Sequence, residues 1–491
     1  MRREADANAT DGRNAPARHW LYLAAFASVY GLLFLAYYPP THGVEDEVGF
    51  INQTLALSRG AITPEGAGFE GLQDFRPYKG RMVGIRNPGR PLISAPFVAL
   101  GGLRGVFLPG ALVHLGLTFV GALIFVRLGL SPLWGCLLLW HPTLCLYSRT
   151  VMGDTAAGLA VLFALLVLLS SRRPGAGAGL ALGAAAVMRY QAGLVLPFFA
   201  LAIFADPAIA RRRREAFMCL LTGAGAGALI VAYNFHMYGN PTGIVKGEFG
   251  LRYFPGNLIF YSAVLLSIWP FMLIAPAIDR SRLRLASAAV CAPTFAFFCF
   301  YYFHDQGPGI VQTLVVGPRL IQIALPAWIV TYCVVMDRHV VTRLSGLIPR
   351  RAIGGLAGVA LILLATFNGL MFARHQRHLE NLIDLRAEIA GTVPPGSLLL
   401  SNSVAWKLLG VLYPAVPAYR LMQLGEPGFT AAAAREDRAW YISFLTKDPG
   451  ASIDDEALSA AIARYACEPL ETRHPELLMF RCPPGTGAPA P

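Results

Sequence analysis

The chain has 491 residues, 55% hydrophobic and only 14% charged, with a mean hydropathy of +0.50. Soluble globular proteins carry about 25% charge, so one large soluble core is excluded and a polytopic membrane protein is implied. The net charge of +12 would suit nucleic acid in a soluble protein. Here the arginines fall in short loops between apolar runs, as the positive-inside rule requires, and no RNA- or DNA-binding motif accompanies them.

Residues 1–19 are polar and precede a long apolar run without a convincing small-residue cleavage site. A cytoplasmic tail and a retained anchor are therefore expected, not a cleaved signal peptide. Eleven apolar runs read as candidate spans: 20–38, 106–126, 133–147, 155–170, 176–190, 191–204, 216–234, 257–276, 285–303, 319–336 and 353–372. Several are shorter than the ~20 residues a straight span needs. With the N-terminus in the cytoplasm, Arg127, Arg172, Arg173, Arg211 to Arg214, Arg280, Arg282, Arg284, Arg338, Arg343, Arg350 and Arg351 all lie inside. The opposite short loops keep only Arg149, Arg189, Lys246, Arg252 and Arg319. Fusing 176–204 into one span would put Arg211–Arg214 outside, so two spans are preferred there. The alanine- and glycine-rich runs at 175–186 and 222–228 read as close helix packing.

Two long segments then face away from the cytoplasm. The first loop, 39–105, opens on the acidic cluster Glu45-Asp46-Glu47. The region 373–483 alternates β-like runs (Ser397–Ser401, Ala439–Leu445, Leu477–Arg481) with helical ones (Val404–Leu412, Asp454–Tyr465), which predicts a small extracytoplasmic α/β domain. Residues 484–491 read as a disordered tail. Six of the eight cysteines sit in apolar runs as packing residues. Cys467 and Cys482 enclose a loop suited to a disulfide in an oxidising compartment.

This topology gathers polar groups on one face of the membrane. Asp46 and Glu47 could take a proton from an acceptor hydroxyl; a solvated loop acid is the plain alternative. Arg149 and Asp154 flank a short turn, and Asp154 begins the next span, where a helix cap is expected; a second carboxylate there could also orient an acceptor or hold a divalent cation. Arg149, Arg189 and Arg319 could hold a lipid phosphate, since guanidinium bonds phosphate with two prongs; snorkelling to the interface explains each taken singly. Tyr233, Lys246 and His304 are further candidates on the same face. Bases Arg76, Lys79, Arg81, Arg86 and Arg90 in the first loop could attract headgroup phosphates, yet residues 39–90 hold six acids and six bases, so a neutral solvated loop is equally served.

Asp46-Glu47-Val48-Gly49-Phe50 after the first span resembles the Asp-Glu motif of the GT-C glycosyltransferases. Asn87-Pro88-Gly89-Arg90-Pro91-Leu92 with Ala95-Pro96-Phe97 is similar to their Pro-Pro-Gly-x-Pro-Leu element. Tyr147-Ser148-Arg149 with Asp154, Met188-Arg189-Tyr190, Tyr233-Asn234 with Tyr238-Gly239-Asn240-Pro241, and Gly317-Pro318-Arg319-Leu320 with Leu325-Pro326 resemble further elements in the same order. Protein O-mannosyltransferases and lipid A aminoarabinose transferases are nearest in pattern. Arg90, Tyr190 and Leu320 depart from it.

The resemblance implies an α-helical multi-pass GT-C-like fold in the bacterial inner membrane, with its site on the periplasmic side. It implies inverting transfer of a sugar from a polyprenyl-phosphate donor to a hydroxyl on a glycan, lipid or protein. Asp46 would then be the general base or would orient the acceptor, supported by Glu47 and Asp154; Arg189 and Arg319 would hold the lipid phosphate. A divalent metal is left open, because no ligand spacing decides it. Two other classes compete: a transporter or flippase of lipid-linked saccharides, which internal repeats and mid-membrane polar groups would mark, and a scaffold presenting the C-terminal domain. The transferase reading expects these acids and guanidinium groups to serve one pocket.

Overall fold

The computed structural model describes residues 2–62, 75–79, 81–84, 86–240, 248–304, 306–307, 309–395, 397–401, 418–420, 439–445, 459 and 462–483. Lys246, the expected helix Val404–Leu412, most of Asp454–Tyr465 and the tail 484–491 lie outside the described residues.

The described helices run in chain order as α1 (Arg2–Ala36), α2 (Glu45–Ser58), α3 (Gly89–Gly101), α4 (Leu108–Arg127), α5 (Gly135–Leu139), α6 (Pro142–Tyr147), α7 (Asp154–Ser170) and α8 (Gly175–Met188). There follow α9 (Val195–Ala205), α10 (Arg212–Tyr238), α11 (Phe254–Ile268), α12 (Ala275–Ile278), α13 (Arg284–Cys299), α14 (Ile310–Val316), α15 (Leu325–Val335), α16 (Thr342–Leu344) and α17 (Arg350–Thr392). The strands are β1 (Phe75–Tyr78), β2 (Arg81–Gly84), β3 (Leu399–Ser401), β4 (Ala418–Arg420), β5 (Trp440–Leu445), β6 (Glu468–Leu470) and β7 (Leu477–Cys482).

The chain packs as two units. One holds the described residues of Met1–Tyr38, Asn87–Phe97 and Gly105–Arg374; the other those of Pro39–Arg86, Val98–Arg104 and His375–Pro491.

The first unit is an α-helical membrane body. Ala17–Ala36, Leu103–Arg127, Arg212–Tyr238, Leu251–Ile268 and Arg351–Thr392 are each long and apolar enough to cross a bilayer; residues 103–104 and the part of α17 after Arg374 count with the second unit. Asp154–Ser170, Gly175–Met188, Tyr190–Ala205 and Arg284–Cys299 are shorter apolar helices, and Ile310–Ile323 with Leu325–Leu344 form a pair bent by 102°. Three of the expected runs are interrupted. The run 133–147 is split into α5 and α6 by Pro142, which has no N–H to give and forces His141 into extended backbone (φ −65°, ψ 122°); the helix in 257–276 ends at Ile268, ahead of Phe271 at φ 69°; and 319–336 holds the 102° bend. Small residues bring α8 and α10 together backbone to backbone: a Cβ on Gly179 would lie 2.2 Å from the Cys219 carbonyl oxygen, and one on Gly183 would lie 2.4 Å from Ala226 Cβ.

The second unit is an α/β body. β1 and β2 form an antiparallel hairpin. The larger sheet has the order β4-β3-β5-β7-β6, with β3 parallel to β4 and β5, and β7 antiparallel to β5 and β6. Its core is Leu398, Leu400, Trp440, Ile442, Phe444 and Tyr465, and a disulfide joins Cys467 to Cys482. The unit also takes in the start of the first loop, which the sequence had placed with the spans. The reason is contact with the outer part of α17: Arg386 Nη1 donates to Thr41 Oγ1 at 3.0 Å, and a Cβ on Gly43 would meet Leu379 at 2.9 Å.

Candidate active site

In the helical unit the site grows from the first turn of α7. Gly153 precedes it and Asp154 opens it, so a carboxylate sits at the positive end of a 17-residue helix. Asp154 is fully buried. Arg189, extended at the end of α8 (φ −150°, ψ 112°), brings its Nε to 3.0 Å from Asp154 Oδ1. The pair is held by charge: neither the Nε nor either carboxylate oxygen makes a hydrogen bond among the described residues. A buried carboxylate with a single charged partner keeps lone pairs that can accept a further donor.

Two glycines let three segments converge there. A Cβ on Gly153 would lie 2.7 Å from the Met188 carbonyl oxygen and 3.7 Å from Arg90 Cβ; one on Gly89 would lie 2.7 Å from the Val187 carbonyl oxygen. The start of α3 and the 148–153 loop therefore both abut the end of α8 that carries Arg189. Arg90 is itself buried, and its Nη2 donates to the Thr150 carbonyl at 3.2 Å.

Arg319 comes from a third direction. Gly317–Ile323 is a 3₁₀ run of seven residues, longer than such turns usually persist. Pro318 starts it and Pro326 starts α15, and neither can donate to the preceding turn. The run is wholly buried. Gln322, one turn beyond Arg319, accepts from Thr155 Oγ1 at 3.2 Å, which fixes the run against the first turn of α7.

Arg149 is placed otherwise. Its Nη1 donates to the Phe372 carbonyl at 3.0 Å and its Nη2 to the Tyr37 carbonyl at 2.5 Å, with the guanidinium 4.8 Å from the Phe372 ring centroid. These bonds direct it to the backbone of α17 and to the end of the first span. Tyr190 Oη donates to Asn234 Oδ1 at 3.0 Å, next to Arg189, and Tyr233 meets Tyr238 edge-on at 6.4 Å. His304 Nδ1 lies 2.7 Å from Asn257 Oδ1, and Gln306 Nε2 lies 2.6 Å from His304 Nε2. The Asn257 amide nitrogen donates to the Tyr301 carbonyl, so its oxygen accepts and the proton of His304 belongs on Nδ1. In the loop before α11, the Tyr253 hydroxyl and then the Arg252 guanidinium hold the exposed Glu248 carboxyl below the usual carboxylate range.

In the α/β unit, Asp46 and Glu47 lie in the first turn of α2 but do different things. Glu47 is buried and accepts the Val44 N–H at 3.0 Å and the Gly43 N–H at 2.9 Å, the back-reaching half of a capping box. Asp46 is partly exposed and forms an ion pair with Arg86. Arg86 also stands 5.8 Å over the Phe50 ring, one turn further along α2. The sequence treated Arg86 as one base in a neutral loop. The signal for it was available only through the hairpin β1–β2, which carries the chain back to α2 after forty residues. Among the described residues no group of three or more His, Cys, Asp or Glu side chains is placed to hold a metal ion.

The chain shares its fold with solved structures of a membrane protein. It is similar to the crystal structure of ArnT from Cupriavidus metallidurans bound to undecaprenyl phosphate, with a TM-score of 0.57 and 15% identity over 96% of this chain and 99% of that one. The apo crystal structure of the same ArnT gives a TM-score of 0.57 and 16% identity over 96% and 100%. No family model and no curated protein matches the sequence.

Proposed function

We propose that this chain is an inverting glycosyltransferase that moves a sugar from a polyprenyl-phosphate donor to a hydroxyl acceptor on the extracytoplasmic face of the bacterial inner membrane. The buried Asp154–Arg189 ion pair at a helix N-terminus is the observation that supports the reading. A lipid-phosphate leaving group needs cations where charge develops, and the loops that hold Arg189 and Arg319 supply them. The fold of an ArnT bound to undecaprenyl phosphate supports a lipid phosphate as part of the donor.

In this reading Asp46 takes the acceptor proton while the acceptor oxygen attacks the anomeric carbon. The bond from that carbon to the phosphate oxygen breaks, and the pair of electrons leaves with polyprenyl phosphate. Arg189 and Arg319 offset that charge; Asp154 holds Arg189 in place and accepts a sugar or acceptor hydroxyl. Arg86 fixes the Asp46 rotamer. Glu47 and Arg149 act through structure, by capping α2 and by tying helix ends.

Transfer releases polyprenyl phosphate whatever the sugar, so release is the readout. Full-length protein is incubated with a panel of polyprenyl-phosphate hexoses and pentoses and an acceptor-rich membrane extract. Release by the wild type and its loss in Asp46→Asn, by about 10²-fold or more, is the expected result. Normal release by a folded D46N protein removes Asp46 from the mechanism. Movement of the lipid across sealed vesicles without covalent product replaces the reading with a flippase.

A further inference from the structure

Beyond Arg189 and α9, the turn between α9 and α10 builds a second basic feature that the proposed reaction does not use. Pro207, Ile209 and four consecutive arginines, Arg211 to Arg214, line an open cavity of about 570 Å³. All four arginines are exposed. The positive-inside rule accounts for their number, and the turn sets all four around one shallow, open depression.

The nearby carboxylates are committed elsewhere. Asp206 accepts the Ala208 N–H at 2.9 Å and lies 3.5 Å from Arg282. Glu215 is buried and accepts the Gly175 N–H at 2.9 Å. Asp279 is buried and accepts from the Ser281 N–H at 2.8 Å and from its hydroxyl. Among the described residues no acidic side chain lines the cavity itself.

The cavity is also bordered by apolar surface. Along α10 the next turns expose Phe217, Leu220 and Leu221; on α9, Leu201 and Phe204 are exposed. The Arg212 guanidinium stands 5.8 Å from the Phe204 ring centroid, which sets it at the edge of that apolar strip. Since α10 is long and apolar enough to span a bilayer, a membrane crossed by it would meet the strip with acyl chains and the arginines with headgroups. A nucleic acid or a soluble acidic peptide would use the charge but leave the strip unmatched.

We propose that this cavity is a binding site for an anionic phospholipid of the inner leaflet, with the phosphate held by Arg211–Arg214 and the acyl chains laid along Phe204, Phe217 and Leu221. The site is independent of the transferase reading.

The test uses full-length protein in detergent, titrated with dioleoyl phosphatidylglycerol, dioleoyl phosphatidylcholine or inorganic phosphate, with bound lipid counted by native mass spectrometry. Saturable binding of phosphatidylglycerol is expected, with weaker binding of phosphatidylcholine and no displacement by millimolar phosphate. Arg212→Gln with Arg214→Gln, which leaves two arginines to keep the topology, should weaken it about fivefold per guanidinium removed. R343Q with R351Q, the same charge removed elsewhere, should leave it unchanged. Equal loss in both pairs, or equal retention of the two lipids, overturns the proposal; displacement by phosphate alone reassigns the cavity to a free anion and overturns it too. A photoactivatable phosphatidylglycerol on the wild-type protein needs no variant: label is expected within residues 198–221, and label confined to other segments is a refutation.

Discussion

Asp154 and Arg189 meet at 3.0 Å although 35 residues and two helices separate them, and the carboxylate is wholly shielded from solvent. Removing one partner of such a pair strands the other's charge, which costs about 3–5 kcal/mol, whereas removing both costs less. Arg189→Met alone should therefore lower the thermal stability of the detergent-solubilised protein more than D154N with R189M together. Additive losses across the cycle would show that the two groups do not interact.

Glu47 and Asp46 are neighbours with separable roles. Replacing Glu47 by Ala frees the Gly43 and Val44 N–H groups and should cost about 1 kcal/mol, confined to α2. Hydrogen exchange should quicken over Glu45–Ser58, with lipid-phosphate release falling less than in D46N. Unchanged exchange in α2 would deny Glu47 its capping role.

Gly153→Ala puts a methyl group 2.7 Å from a backbone oxygen of α8, which cannot turn aside as a side chain can. A loss of about 1–3 kcal/mol is expected. Gly354→Ala in α17, where a Cβ meets nothing within 4 Å, is the control and should be neutral or slightly stabilising. Equal melting temperatures for the two variants would contradict the close approach.

The Cys467–Cys482 bond closes a segment with a sequence separation of 15. Loops of that size stabilise by about 3 kcal/mol through the unfolded chain. The double serine variant should leave the helical unit's detergent melt in place and make the sheet around β5 and β7 susceptible to proteolysis. Resistance equal to the wild type would show that the sheet does not depend on the bond.

The membrane character and most span positions were legible because lipid-facing helices must be apolar along a whole run, whatever they pack against. β3, β5 and β7 were legible from their apolar runs, while β1, β2, β4 and β6 are short segments of mixed polarity whose pairing partners lie outside the local sequence. The break within 133–147 was written in Pro142, but the run's hydropathy masked it. Asp154 and Arg189 could be named as candidates from their places at run ends; that they pair depends on Gly89 and Gly153, whose missing side chains carry no hydropathy signal. Arg149 looked equivalent to Arg189 in sequence. Only the positions of Tyr37 and Phe372 show the backbone carbonyls to which it donates.

That last arrangement bears on biogenesis. Tyr37 emerges from the ribosome near the beginning of synthesis, Arg149 about a hundred residues later, and Phe372 more than two hundred after that. The guanidinium that fastens the early segment cannot reach its final acceptor until almost the whole membrane body has been translated. A polypeptide halted before α17 thus enters the bilayer with its clasp half shut, and quality-control proteases should recognise truncated products that still contain every preceding span.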